Sequence, residues 1–295
     1  PEFNNMTVST TYIDKKGQKQ ERVLEAKNKI KIYNLLNHTS GLTYGTFGNS
    51  FAKKRLMSSK ISKLNLEDIS LKQYVNELSK FPLAYNPNTV WEYGRSIEVL
   101  GRVIELATNK TLDVFLKDRI FNPLDMIDTA FYVDESKWHR IAEPFKDKQP
   151  KLINIRDKPN FLTGGHGLVS TIDDYMKFCM MFLKKGIVND NNILSRKTIE
   201  YMTSNHLGLN ISRDTPLYLP GPGYGFGLGF AVRESEGLSS WPGSIGEYFW
   251  AGYAGTYFWI DPKEELIVIS MTQSVTNRMK FRLLLRNLVY QAIIN

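Results

Sequence analysis

Tyr224-Gly225-Phe226-Gly227-Leu228-Gly229-Phe230-Ala231-Val232 is the stretch that decides the architecture. Its bulky residues recur at every second position, the period of a β-strand, and glycines fill the positions between them. One face of such a strand is bulky and the other bare, so a neighbouring segment is expected to approach the bare face closely. Two more strands are expected at about 255–260 and 265–272, joined by Asp261-Pro262-Lys263-Glu264, a turn-rich tetrad that makes an antiparallel hairpin. The period then changes to that of a helix. Phe281, Leu284, Leu285, Leu288, Val289, Ala292 and Ile293 form an apolar face expected to pack on the sheet, leaving Arg278, Arg282 and Arg286 in water.

Upstream of the sheet the pattern is mainly helical. Ser70-Leu71-Lys72-Gln73 has the spacing of a capping box ahead of Leu71, Tyr74, Val75 and Leu78. Leu100, Val103, Ile104 and Ala107 form a second stripe, and Leu112, Phe115, Leu116 and Ile120 a third that Pro123 ends. Residues 132–165, with Pro144, Pro150 and Pro159, are expected to be a long ordered crossing. Thr171 and Ser195 are candidate caps of two later helices, and residues 6–25 read as a hairpin turning at Lys15-Lys16-Gly17. The fold class is α+β, with approximate lobes at 31–165, mainly helical, and 166–295, helices plus antiparallel sheet and a terminal helix; together they make one domain over residues 1–295.

A hydrophobic fraction of 42% over 295 residues can bury a substantial core, which excludes a disordered tail. The net charge of +8 invites a nucleic-acid partner, but basic and acidic residues are interspersed and the short runs at Lys53-Lys54-Arg55 and Lys184-Lys185 lack interleaved aromatics. Cys179 is the one cysteine, so there is no intrachain disulfide; it shares a helical stripe with Tyr175, Phe178 and Phe182 and is expected to be core. No apolar run reaches the roughly eighteen residues of a membrane span.

His38, His139, His166 and His206 are far apart, without HExxH or paired-carboxylate spacing, so no metal site is expected. No glycine-rich phosphate loop follows a strand, and no cofactor is implied. A nucleophilic serine remains. Gly48-Asn49-Ser50-Phe51-Ala52 imitates a nucleophile elbow without a strand before it. Ser50-Phe51-Ala52-Lys53 matches S-x-x-K, in which a neutral lysine one helical turn from the serine takes its proton. That lysine lies in a polar stretch beside Lys54 and Arg55, whereas a base requires a dry site, so the pair is not expected to be the catalytic one.

Ile32-Tyr33-Asn34-Leu35-Leu36-Asn37-His38-Thr39-Ser40-Gly41-Leu42 resembles the LLxHTSGL signature of the class C β-lactamase superfamily, which includes penicillin-binding DD-peptidases and family VIII carboxylesterases. Trp91-Glu92-Tyr93, Leu100-Gly101-Arg102-Val103-Ile104-Glu105, Ile120-Phe121-Asn122-Pro123-Leu124-Asp125-Met126 and Gly164-Gly165-His166-Gly167-Leu168-Val169-Ser170-Thr171 follow in that superfamily's order. Tyr224-Gly225-Phe226-Gly227-Leu228-Gly229 and Trp250-Ala251-Gly252-Tyr253-Ala254-Gly255 complete the series, so the resemblance covers essentially the whole chain. It implies a β-lactamase/transpeptidase-like fold, an acyl-enzyme mechanism and a small-molecule ester or amide substrate.

Residue by residue, the resemblance makes Tyr93 the tyrosine of the Y-x-N/S motif, a phenol that assists proton transfer at the nucleophile; its alternative is a buried structural tyrosine. Arg95 stands at the Asn position and cannot accept a hydrogen bond as an amide does, which weighs against lactam hydrolysis. Trp250-Ala251-Gly252 stands where β-lactamases have K-T-G and family VIII esterases commonly have W-G-G. Trp250 cannot pair with a substrate carboxylate, which favours neutral esters, and its alternative is a structural aromatic on the sheet. A backbone N–H near Gly252 and Tyr253 is the implied oxyanion donor. His38 is expected to brace a turn near the site, and His166 either lines the pocket or replaces a family glycine.

In the superfamily the S-x-x-K segment precedes HTSGL, and Pro1-Glu2-Phe3 resembles the stretch between them. The nucleophilic Ser and Lys are therefore expected to lie outside these residues, leaving a fragment inactive by itself, with sheet and helix faces lacking partners. The leading expectation is an esterase-type serine hydrolase; a β-lactamase or DD-peptidase, and a noncatalytic binding relative, are the alternatives.

Overall fold

The computed structural model describes residues 2–64, 68–144, 152–188 and 191–294. The chain forms two compact units. The first comprises Pro1–Leu112, Pro159–Gly167 and Leu207–Leu219; the second comprises Asp113–Lys158, Leu168–His206 and Pro220–Asn295. These units do not coincide with the linear lobes 31–165 and 166–295, because residues 113–158 fold with the sheet and residues 207–219 return to the first unit.

The first unit opens with the expected hairpin, β1 (Thr7–Ile13) against β2 (Lys19–Glu25), antiparallel from Thr7 opposite Glu25 to Ile13 opposite Lys19. Gly17 adopts a left-handed φ of 76° in the turn, while the Asp14 carboxylate accepts the Lys16 and Gln18 N–H groups at 2.9 Å each. Short helices α1 (Ile32–Leu36) and α2 (Phe51–Ser58) follow. In α3 (Leu71–Leu78), Ser70 and Gln73 form the capping box, and Leu71, Tyr74, Val75 and Leu78 are all buried, as their spacing predicts.

Helix α4 (Ser96–Thr108) departs from the expected stripe. Its fully buried residues are Ser96, Glu98, Val99 and Gly101, whereas Leu100, Val103 and Ile104 are half-buried and Ala107 is exposed. Polar residues at its N-terminal end face the 38–45 loop and the 163–166 turn, so this face is chosen by hydrogen bonding rather than by apolar periodicity.

The second unit begins at α5 (Leu112–Leu116), which runs into a single π turn over Lys117–Phe121 and stops before Pro123. Helix α6 (Ile172–Leu183) is capped by Thr171, which accepts the Asp174 N–H at 3.3 Å. A minimal ladder, β3 (Ile187–Val188) with β4 (Asn191–Asn192), precedes α7 (Arg196–Met202), whose cap is Ser195. Five antiparallel strands follow in spatial order: β5 (Tyr224–Phe226), β6 (Ala231–Arg233), β7 (Tyr248–Ala251), β8 (Tyr257–Asp261) and β9 (Leu266–Ser270). Helix α8 (Arg278–Gln291) completes the unit.

Residues 224–232 are two strands, not one. Gly229, at φ 99°, lets the chain reverse, and the Gly227 N–H closes the turn on the Phe230 carbonyl at 2.7 Å. The close approach to the glycine face is present: a Cβ on Gly225 would meet the Asn205 side chain at 2.3 Å, and one on Gly227 the Met202 carbonyl oxygen at 2.3 Å.

Alternation along β7 and β8 divides two cores. Tyr248, Phe258 and Ile260 pack with Cys179, Met181 and Phe182 of α6, and burial pushes the Cys179 thiol up to about 12, as suits a core cysteine rather than a nucleophile. Glu247, Trp259 and Asp261 face α8 instead. The side of α8 turned to the sheet carries Arg282, Arg286 and Tyr290, while Leu284 and Leu288 are exposed, so the expected apolar face is rotated away. Arg286, expected in water, is fully buried: it pairs with Glu247 at 2.7 Å and stands over the Trp259 ring at 4.8 Å. The sheet-facing side of α8 is charged because Glu247 and Asp261 are buried opposite it. Among the described residues, no helix is long and apolar enough to cross a membrane.

Candidate active site

The HTSGL segment and the Trp91–Arg95 segment interlock within the first unit. His38 sits at φ 56° just after α1, in the left-handed region, and its carbonyl accepts the Glu92 N–H at 2.9 Å. Gly41, at φ 82°, lies so close to the chain beside it that a Cβ would meet the Tyr85 carbonyl oxygen at 2.1 Å. Gly94 is equally constrained: a Cβ there would meet Leu42 O at 2.2 Å and Thr43 Cα at 2.5 Å. Ser40 and Ser96 share a 2.8 Å hydroxyl hydrogen bond, and the Thr43 hydroxyl donates to Glu92 Oε1 at 2.7 Å. Two successive segments are therefore locked backbone to backbone around one residue, Tyr93.

Tyr93 is half-buried, its ring 4.9 Å from His38, 5.1 Å from Tyr44 and 6.2 Å from Trp91. His38 braces the turn from inside. It is 3% exposed, and burial, opposed by the field of Glu98, lowers its imidazole to about 4, so it is neutral at pH 7. Burial, with Glu98 and Tyr93 adding to it, holds the Tyr44 phenol well above its usual range, so Tyr44 remains protonated.

Arg95 turns into the unit. Its guanidinium lies 4.4 Å over the Tyr44 ring and 5.7 Å over that of Tyr74, and it pairs with Glu98 Oε1 at 3.3 Å. Glu98 is fully buried. Burial pushes its carboxyl up, but His166 and Arg95 outweigh that and leave it below the usual range. His166 Nδ1 lies 3.1 Å from Thr163 Oγ1 and 3.5 Å from Glu98 Oε1. The two glycines before it have a steric purpose, since a Cβ on Gly164 would meet Ile97 O at 2.7 Å and one on Gly165 would meet Glu98 Oε1 at 2.8 Å.

Lys53 contradicts the polar setting expected of it. It is 1% exposed in the first turn of α2, with Nζ 2.8 Å from Glu92 Oε1, close enough for an ion pair although not aligned as a hydrogen bond. The Ser50 hydroxyl has no hydrogen-bond partner among the described residues and does not bond to Lys53. The dry site that S-x-x-K requires is present, but its amine lies against the Glu92 carboxylate and not against Ser50. Lys53 instead supports Glu92, the neighbour of Tyr93.

The second unit carries Trp250, Gly252 and Tyr253. Trp250 is in β7 and half-buried, edge-on to Phe226 at 5.2 Å and near-parallel to Phe249 at 6.4 Å, so it packs as a sheet aromatic with part of its ring open. Gly252 follows where a Cβ would meet Thr256 Oγ1 at 2.1 Å. Its N–H donates to the Thr256 carbonyl at 2.8 Å, so it is not the spare donor; the oxyanion reading passes to the Tyr253 N–H alone. Arg282 of α8 donates through Nη2 to both the Gly252 and Thr256 carbonyls, the latter at 3.0 Å, and Arg278 lies 4.9 Å over the Tyr253 ring.

The structure thus gathers His38, Tyr93, Arg95 and His166 in the first unit, and Trp250, Gly252 and Tyr253 in the second. Sequence reading did not single out Tyr44, Glu98 or Thr163, and it left Arg282 in water, whereas Arg282 is half-buried on the Gly252 and Thr256 carbonyls. The Gly164-Gly165 pair held a signal for Glu98, because adjacent glycines mark a place where a neighbour can approach closely.

The beta-lactamase family profile matches residues 12–291. An uncharacterised protein of Mycobacterium tuberculosis is 30% identical over 267 residues, which cover 86% of this chain and 64% of that protein, so the chain spans less than two thirds of that relative's length. Esterase EstB of Burkholderia gladioli is 26% identical over 287 residues, 88% of this chain and 69% of the esterase. Among solved structures, EstCE1, described as a hydrolase with promiscuous acyltransferase activity, superimposes with a TM-score of 0.74 at 26% identity over 90% of this chain and 73% of its own. With the helices, the antiparallel sheet and the ordered motifs described above, these matches show that the chain belongs to the beta-lactamase family.

Proposed function

We propose that the protein transfers acyl groups from small neutral esters through a serine acyl-enzyme, with Tyr93 as the proton-transfer group and the Tyr253 N–H as an oxyanion donor. The serine oxygen attacks the ester carbonyl carbon, and its proton passes by way of the phenol to the departing alcohol oxygen; water then hydrolyses the acyl-enzyme. The observation that carries the proposal is the interlock around Tyr93. The chain at Gly94 runs so close to Leu42 that an added Cβ would meet Leu42 O at 2.2 Å, and this packing holds one half-exposed phenol in place, more constraint than a packing tyrosine requires. Trp250 supports neutral substrates, because an indole offers an anion no positive charge. The esterase and acyltransferase descriptions of similar proteins favour ester over lactam chemistry. Ser50 is not the nucleophile in this proposal, since Lys53 is engaged by Glu92. The nucleophile in this proposal is the serine of an S-x-x-K segment other than Ser50–Lys53.

The test is turnover of p-nitrophenyl butyrate and of nitrocefin by the protein carrying such a segment, with Tyr93→Phe beside it. The expected result is ester turnover well above nitrocefin turnover and a kcat lowered by about 10²–10⁴ in Tyr93→Phe. Preferential nitrocefin turnover contradicts the substrate class, and a Tyr93→Phe rate within twofold of wild type contradicts the role of the phenol.

A further inference from the structure

The Glu98–Thr163–His166 chain has a polarity that can be worked out atom by atom. Glu98 is fully buried and paired with the Arg95 guanidinium at 3.3 Å, so it is held as the carboxylate and can only accept. Thr163 is also fully buried, and its hydroxyl lies 3.3 Å from Glu98 Oε1, so the hydroxyl proton points at the carboxylate. With its proton spent there, Thr163 Oγ1 must accept from its other neighbour, His166 Nδ1, at 3.1 Å. The opposite tautomer would aim the Nδ1 lone pair at Glu98 Oε1, 3.5 Å away, and leave the threonine proton shared between two acceptors. Of the two neutral tautomers the geometry therefore selects Nδ1–H, which puts the lone pair on Nε2 of a side chain that is 38% exposed.

We propose that His166 is a built proton acceptor, fixed as the Nδ1–H tautomer by Thr163 and Glu98, and that its Nε2 takes the proton of the hydroxyl that receives the acyl group, from water or an alcohol. As that oxygen bonds to the acyl carbon, its proton moves to Nε2. The carbon–oxygen bond to the serine then breaks, and the proton returns to the serine oxygen. This role rests on the acyl-transfer reading above, whereas the tautomer does not. The arrangement also gives Gly164 and Gly165 a use, because only a loop without Cβ atoms can bring Thr163 and His166 onto the α4 carboxylate.

The first test needs no activity. Two-bond ¹H–¹⁵N correlation on the ¹⁵N-histidine-labelled 295-residue chain should show His166 with a protonated Nδ1 and a bare Nε2. Diethyl pyrocarbonate should modify His166 at Nε2, read by peptide mapping. Thr163→Val and Glu98→Gln should each shift the population toward Nε2–H and slow that modification severalfold, with the spectrum of His38 reporting that the fold persists. A wild-type Nε2–H tautomer, or a tautomer unmoved by both variants, overturns the proposal whatever the enzyme does. The second test uses the protein that turns over p-nitrophenyl butyrate: His166→Gln should keep the acylation burst and slow the steady state by about 10²–10⁴. A steady state unchanged by His166→Gln, with the tautomer intact, removes the proton-acceptor role. Absence of any turnover in wild type removes the acyl-transfer reading and leaves the tautomer standing.

Discussion

Each unit buries a glutamate completely, and the two are treated in opposite ways. Glu247, between the sheet and α8, has both oxygens saturated: Oε1 accepts from Tyr224, Arg233 at 3.2 Å and Arg286 at 2.9 Å, and Oε2 from Arg286 at 2.7 Å and Tyr290 at 2.8 Å. Every donor there is itself buried or half-buried. Glu98 has three longer contacts, from 3.3 to 3.5 Å, all on Oε1; its Oε2 has no partner among the described residues, and one of the three contacts is to a half-open imidazole. A saturated carboxylate fastens a helix to a sheet. An under-coordinated one that ends in a solvent-reaching histidine keeps a proton-handling group in order.

Substitution by glutamine should separate the two sites most clearly. Glu247→Gln leaves Arg286 charged and fully buried without its partner, and should destabilise the protein by about 3–5 kcal/mol in urea unfolding. Glu98→Gln removes fewer and longer bonds and should cost only about 1–2 kcal/mol. Equal losses would break the comparison.

Acid should act on the first unit through His38. Its folded-state value of about 4 lies below the unfolded value of about 6.5, so the unfolded chain binds the extra proton. The stabilisation is complete above pH 6.5 and is lost as the pH falls from there toward 4, amounting to about 2 kcal/mol between pH 7.5 and 5. His38→Asn suits the left-handed backbone and carries no titrating ring, so it should flatten this slope; an unchanged slope contradicts the assignment. The depressed carboxyl of Glu98 contributes in the same direction, with stability present above the usual carboxylate range and lost at lower pH.

The smallest effect lies outside either charged cluster. Ser70→Ala removes the α3 cap and should cost about 1 kcal/mol, without altering the tautomer of His166 or the pH slope.

What was legible in the sequence was local. The β1–β2 turn, the caps at Ser70, Thr171 and Ser195, the β8–β9 hairpin and the buried Cys179 follow from residue types a few positions apart. The place of Tyr93 beside the HTSGL segment was legible because its neighbours form an ordered motif. Partners fixed by tertiary structure were hidden. Glu98 is one of two glutamates in α4 and nothing local sets it apart from Glu105, Lys53 reads as surface until Glu92 is placed beside it, and Arg286 reads as solvated until Glu247 faces it. The hairpin within 224–232 was hidden too, because a strand and a tight turn through Gly229 share the same alternation.

The most direct measurement is fluorophosphonate labelling with intact-mass analysis and peptide mapping, on the 295-residue chain and on a protein that adds an S-x-x-K segment upstream. The account predicts no label on the 295-residue chain, Ser50 included, and a label on the serine of the added segment. A label at Ser50, or none on either protein, would contradict it.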